Sequence, residues 1–328
     1  MIDLTSVQSA GSETPNRPAA GRVREDQVAS SRPRRRPKRA AGVRSIGPFF
    51  VAPYVLFTLA FGVIPGLYAI YLAVTDAQGG FAPTANFTTV MGDFRFFAAA
   101  RHVALFVGIW VVSLLVLVVF FAIVVHAIRV RWLSASARLF CYIPGALAGA
   151  SSVMLWLFVL DPVASPVGPL LRALGFDSFP SVIQPTHLPV IFAIIAFWTG
   201  AGGWIVVMYG ALNNIPDELM EAARIDGANP VQIALHIQLP LLRKWIAYMA
   251  VLSLAAGTQL FVEPSLLSQA SNGVVPNDYS LNQLAYQYAF DLNDFNGSAA
   301  ISVLLLLVAL VLSAVFVAKG GLFETEDV

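Results

Sequence analysis

Residues 218–240 read ELMEAARIDGANPVQIALHIQLP, Glu218 to Pro240, and they interrupt a chain that is apolar on both sides. Together with Asp217 just ahead, the stretch gathers four acids (Asp217, Glu218, Glu221, Asp226), Arg224, His236 and two prolines. Pro216 followed by two acids reads as a helix start, because proline suits the first helical position and carboxylates suit the positive end of the helix dipole. Leu219, Ala222, Ala223 and Asp226 fall at i, i+3, i+4 and i+7, so one largely small or apolar face can seat against a partner. Gly227 is placed to end this helix at a positive φ. Asn229 and Pro230 then restart a second helix with a cap and a first-turn proline. It carries Val231, Ile233, Ala234, Leu235 and Ile237 up to Leu239 and Pro240. The first helix, Pro216 to Asp226, is expected to be about 16 Å long at 1.5 Å per residue. It forms a short knob between two greasy stretches.

Outward from this knob, the chain has 328 residues, 57% of them hydrophobic and 12% charged. Soluble domains carry about 25% charge, so this composition reads as an integral membrane protein. A helix needs about 20 apolar residues to cross the hydrocarbon. Six stretches qualify: Phe49 to Thr75, Val103 to Ile128, Leu139 to Leu160, Leu188 to Leu212, Trp245 to Val262 and Ser298 to Ala318. Pro144, Ser151, Ser152 and several glycines dilute the third. Gly257, Thr258 and Gln259 dilute the fifth. The expected fold is all-α, a polytopic membrane protein with six transmembrane helices. A polar tail (1–47) precedes the membrane domain (48–318, with the polar loop at 213–243), and a short tail (319–328) follows it.

Ten of the twenty Lys and Arg residues precede Pro48, ending in RPRRRPKRAAGVR. Low hydrophobicity with high charge predicts disorder there. Such a run can bind nucleic acid or anionic lipid, but its position before a first span fits a cytoplasmic anchor better. It is too long, and lacks the small-residue cleavage site, to read as a signal peptide. With the N-terminus in the cytoplasm, seventeen basic residues fall inside and three (Arg95, Arg101, Arg172) outside. That asymmetry predicts both termini inside and puts the knob on the cytoplasmic face.

Within the six stretches there is no Asp, Glu, Lys or Arg; His126 and Glu263 sit at edges. A proton- or sodium-coupled carrier usually needs a buried ionisable group, and a cation channel a ring of acids or a carbonyl filter. No phosphate-cradling GxxxxGK[ST] loop and no HExxH are present. Ser151, Ser152 and Ser253 have no His or Lys in a span to activate them, so they read as packing serines. The lone Cys141 excludes a disulfide within the chain. Energy for uphill movement must therefore arrive from elsewhere. An amphipathic helix resting on headgroups is the plainer reading of the knob, but four acids suit an anionic leaflet poorly.

Glu221-Ala222-Ala223, Gly227 and Leu239-Pro240 resemble the EAA loop of binding-protein-dependent ABC importers, and the run EAARIDGANPVQIALHIQLP resembles their carbohydrate-uptake branch. The opening span, PYVLFTLAFGVIPGLYAIYLAVTD, with Pro53, Pro65 and Tyr71, looks like that of the maltose-F-like, glycerol-phosphate-A-like subunit. The resemblance implies that the knob is a coupling helix in the cytoplasm, with Glu221, Ala222, Ala223, Asp226, Gly227 and Pro240 at the joint to a separate ATPase dimer. It implies a second EAA-loop permease subunit and an extracytoplasmic solute-binding protein. ATP and Mg would be bound by the ATPase, with no cofactor in this chain, which would lie in the inner membrane among lipid and touch no nucleic acid. For the solute path, Trp198, Thr199, Thr258 and Gln259 are the best lining residues: aromatic rings beside neutral hydrogen-bonders suit a sugar, oligosaccharide or polyol. The aromatic residues also fit an interface belt or packing. A non-carbohydrate solute (amino acid, peptide or anion) and a membrane enzyme are the alternatives.

Overall fold

The computed structural model describes residues 47–147 and 149–320. The basic tail before Gly47 and the last eight residues, 321–328, lie outside the described residues. The chain divides into two units, Met1–Val55 and Leu56–Val328; the described part of the first is helical. Among the described residues every regular element is helical, and β pairing is confined to a bridge between Thr75 and Phe81.

Four helices are long and apolar enough to cross a membrane: Phe50–Ala73, Phe94–Ala127, Leu188–Leu212 and Phe295–Ala318. They match the first, second, fourth and sixth expected spans. The second begins earlier than Val103, because Asp93 caps it by accepting a hydrogen bond from the Arg95 N–H at 2.9 Å. The third and fifth stretches are each broken. Leu139 to Leu160 is no single helix: Arg131–Tyr142 runs into a 3₁₀ turn at Ile143–Leu147, and Ala150–Val159 restarts after Gly149 at φ 73°. Pro144 withdraws a donor there, and Gly149 takes a conformation that other residues resist. Trp245 to Val262 is also broken. Its helix, Arg243–Gly257, is bent by 64° from Pro230–Leu241 before it. It stops ahead of a non-helical step at Gln259–Phe261, and a new helix, Val262–Ala270, follows. The polar stretch 264–297 holds a further helix, Leu281–Phe290.

Two prolines are accommodated in the same way. Five-residue π segments, Leu59–Val63 and Ala234–Gln238, sit just before Pro65 and Pro240. Widening the turn moves the carbonyls that the proline ring would strike and absorbs the missing N–H.

Leu188–Leu212 is the hub. It packs against Phe94–Ala127, Arg131–Tyr142, the Ile143–Leu147 turn, Ala150–Val159 and Arg243–Gly257. Phe192, Ile195 and Met208 on it are fully enclosed. Lipid tails are as apolar as leucine, so helices in a bilayer associate by close packing, and small residues permit it. Gly202 is where this is tightest: a Cβ there would overlap the Cys141 carbonyl and crowd the Tyr142 backbone.

A second cluster gathers Ala73, Val90, Phe96, Leu284, Tyr288 and Ala300 at one end of the molecule. Polar bonds pin it. Asn86 Nδ2 donates to the Ala73 and Thr75 carbonyls at 2.9 and 2.8 Å, and Asn296 Nδ2 donates to those of Leu72 and Thr75 at 2.9 and 2.7 Å. They satisfy carbonyls that a helix end leaves without partners. Asp93 pairs with Arg95 at 2.7 Å and accepts from the Tyr288 hydroxyl at 3.0 Å. The Arg95 hydrogen bonds hold the Asp93 carboxyl down at about 2, and burial with this carboxylate pushes Tyr288 up to about 12.

The hub contact gives a paired test. Gly202→Ala must move backbone and is expected to destabilise by roughly 1–3 kcal/mol, read as a lower thermal midpoint of the purified protein and less of it in the membrane. Gly203→Ala, where a Cβ meets nothing within 4 Å, is expected to be silent.

Candidate coupling segment and solute cavity

The knob is a nine-residue helix, Asp217–Ile225. Pro216 is its N-cap, at φ −58° and ψ 134°, one position earlier than the sequence suggested. Asp217 and Glu218 occupy the first turn and Arg224 the last, the arrangement the helix dipole favours. Gly227, at φ 82°, closes it: its N–H donates to the Arg224 carbonyl at 3.1 Å, and the Ala228 N–H donates to that of Ala223 at 2.9 Å. This pair of bonds is a Schellman motif. The next helix starts with a reciprocal box. The Gln232 N–H donates to Asn229 Oδ1 at 2.9 Å, and the Asn229 N–H donates to Gln232 Oε1 at 2.8 Å.

Glu221, Ala222, Asp226 and Gly227 are exposed and Ala223 is half-buried; Pro240 is exposed inside the second helix. The proposed seating face is thus divided. Met220, 7% exposed, turns into the protein with Ala223 beside it, while Leu219, Ala222 and Ile225 turn outward among Glu218 and Glu221. Ile225 is 86% exposed. Met220 as the anchor was missed, though its i, i+3 spacing to Ala223 was in the sequence. Beside the entry to the knob, the Arg138 guanidinium lies 3.8 Å over the Tyr209 ring, and His126 meets the same ring edge-on at 5.8 Å. Asp217 lies within electrostatic reach of His126. The knob's root therefore adjoins three helices, Phe94–Ala127, Arg131–Tyr142 and Leu188–Leu212.

Of the path candidates, the structure brings Thr199 and Gln259 together and leaves the other two out. Both line a cavity of about 210 Å³, with Phe106, Trp110, Gly257 and Glu263. Phe106 and Trp110 stack at 5.7 Å, and Gly257 has no Cβ where one would press on Trp110 at 3.1 Å. The Trp110 Nε1–H is buried without a hydrogen-bond partner. The Thr199 hydroxyl donates back to the Ile195 carbonyl at 3.0 Å. Trp198 instead meets Trp156 edge-on at 5.8 Å in a separate, apolar pocket with Phe121 and Phe140. Thr258 is buried, its hydroxyl donating to the Ala255 carbonyl at 2.9 Å and its own carbonyl accepting from Asn282 Nδ2 at 2.8 Å. Gln259 also borders a second cavity of about 440 Å³ with Asn282, Tyr286, Ser298 and Ser302.

Sequence reasoning left Glu263 at a span edge. The broken helix folds it back into the cavity wall. A lone acid just after a Gly-Thr-Gln break was the available signal. The hydroxyls of Ser152 and Ser253 are buried without partners, so no base activates them.

Several apolar helices, an exposed capped knob between two of them and polar cavities inside the bundle are the attributes of a multi-pass membrane permease. The chain belongs to the family "Binding-protein-dependent transport system inner membrane component", which it matches over residues 119–320. It is accordingly a transporter subunit and not an enzyme. It is 27% identical over 319 residues to the diacetylchitobiose uptake system permease protein NgcF of Streptomyces coelicolor, covering 92% of this chain and 89% of that one. Over 285 residues it is 25% identical to the arabinooligosaccharides transport system permease protein AraP of Halalkalibacterium halodurans (84% and 88%). Over 272 residues it is 29% identical to the sn-glycerol-3-phosphate transport system permease protein UgpA of Escherichia coli (81% and 90%). Among solved structures, a bacterial ABC transporter involved in import of the acidic polysaccharide alginate shares the fold, with a TM-score of 0.70 at 20% identity, covering 83% of this chain and 93% of that one.

The Schellman turn makes a conformational prediction. A Cβ at residue 227 meets nothing within 4 Å, so a substitution there acts through backbone strain alone. Gly227→Val is expected to speed amide exchange across 217–228 while membrane abundance is kept. Gly227→Asn, which tolerates positive φ, is expected to exchange like the parent.

Proposed function

We propose that this chain is one of two permease subunits in an ATP-driven importer of a sugar, oligosaccharide or polyol. The observation that carries this reading is the knob itself: a rigid, exposed helix rooted by Met220 beside the ends of three membrane helices. Nothing within the expected spans supplies energy, so force must enter from outside, and this is the part built to receive it. Glu221 and the outward Leu219, Ala222 and Ile225 give a mixed acidic and apolar surface for a cleft on an ATPase dimer, where ATP and Mg would bind. The relatives named for diacetylchitobiose and arabinooligosaccharides favour a saccharide. So does the cavity, which sets the Phe106–Trp110 stack beside Gln259 and Thr199. An anion such as that named for UgpA fits less well, because no Lys or Arg lines the cavity. An extracytoplasmic binding protein would deliver the solute.

In this reading the two bent pairs each count as one span, giving six, with both termini in the cytoplasm. In a Cys141→Ala background, Gln78→Cys and Leu292→Cys are expected to react with a membrane-impermeant thiol reagent in intact cells, and Ser136→Cys only after permeabilisation. All three positions are exposed. External labelling of Ser136→Cys would sink the orientation.

Glu221→Lys is expected to insert normally but to lose the ATPase on purification and to abolish uptake. Removing one partner of a desolvated charged contact costs about 2–5 kcal/mol. Arg36→Ala, in the basic tail, is the control and should be nearly silent. Wild-type uptake by Glu221→Lys with its ATPase still bound would return the knob to a surface helix.

A further inference from the structure

Glu263 is the acid that this transport reading does not use. It stands in the first turn of Val262–Ala270, the helix that follows the break at Gln259–Phe261, and it lines the cavity of Thr199, Gln259 and Trp110. Among the described residues no ion pair joins it to a base. Three polar cavities meet around the break. Gln259 is shared by two of them, and Phe261 and Tyr286 by two. Their walls carry two carboxylates, Glu263 and Asp291, and no Lys, Arg or His. The base that comes nearest in bonding, Arg95, sits behind Gln287, to which it donates at 3.0 Å. Its Nε and Nη2 donate to Asp93 at 2.7 to 3.2 Å, so its charge is already matched.

We propose that Glu263 is a charge filter: its carboxylate lets the cavity take neutral or cationic polyhydroxylated solutes and turns away anionic ones, such as uronic acid saccharides and phosphate esters. The proposal rests on the reading that this cavity lies on the solute path. The chemistry is direct. An ionised carboxylate accepts hydrogen bonds and donates none, so it suits sugar hydroxyls or an ammonium and opposes another carboxylate. Exposed charges are screened within about 8 Å at physiological salt, but a half-buried one is screened far less. An unpaired charge aimed into a site is also a recognised way of rejecting the wrong ligand. The side-chain amide of Gln259 supplies a donor that a neutral sugar oxygen needs, so carboxylate and amide together offer both halves of a hydroxyl's hydrogen bonding.

The test reads charge without knowing the solute. In the complete importer with Cys141→Ala, Gln259→Cys is exposed to two thiol reagents of similar size, a trimethylammonium and a sulfonate methanethiosulfonate, at rest and during ATP turnover. Each rate is normalised to that with a small free thiol. The cationic reagent is expected to be favoured by about tenfold or more. Glu263→Gln should bring the ratio close to one, and Glu263→Asp should keep it. Thr199→Cys, in the same cavity, repeats the measurement should Gln259→Cys assemble poorly. Modification with no charge preference, or a ratio indifferent to Glu263→Gln, overturns the filter and leaves the path intact. Failure of both reagents at both positions in an assembled, cycling importer overturns the path reading and the filter with it.

Discussion

The backbone carbonyl of Cys141 lies against Gly202, with no room for a methyl group between them. In a bilayer that closeness is the means of adhesion, since no hydrophobic gain rewards one helix for leaving lipid for another. Leu188–Leu212 can therefore serve as a hub only because small residues such as Ala201 and Gly202 face its neighbours. The same device recurs at Gly257, which lets Val107 and the Trp110 ring close on the Arg243–Gly257 helix. One contact seats the hub, and the other shapes the wall of the cavity beside it.

Function collects where the helices fail to continue. Irregular backbone at membrane depth is tolerated only where protein or a water-filled cavity covers it. The step at Gln259–Phe261 meets that condition through Asn282, whose amide donates to the Thr258 carbonyl at 2.8 Å. The break also brings Glu263, in the first turn of the next helix, back beside Gln259. An interrupted helix can hold a charged group in a cavity wall and still leave the apolar stretches free of charge.

The knob solves a different problem. A helix of nine residues is too short to be stable alone in water. Here it is held at both ends, by the Pro216 entry and the Schellman exit at Gly227, and seated through Met220. Its outward face is thereby left for something else, and Ile225 is the clearest mark of a surface not yet covered. Stiffness and exposure together are what a lever arm needs.

Much of this was legible in the residues. Apolar runs of span length gave four continuous helices, because hydrocarbon demands that each backbone group be satisfied within its own segment. Gly227 at positive φ and the Asn229–Gln232 box followed from local chemistry that needs no distant partner. The EAA run likewise marked the family before any fold was drawn. What the residues did not decide is which neutral side chains face one another. Thr199 and Gln259 share a wall while Trp198 turns to Trp156 and Thr258 to its own helix, since facing is set by rotation of whole helices against a hub. Glu263 read as an edge residue because sequence counts distance along the chain, and a chain that breaks and turns back converts an edge into an interior. Only the packed tertiary structure supplies that turn.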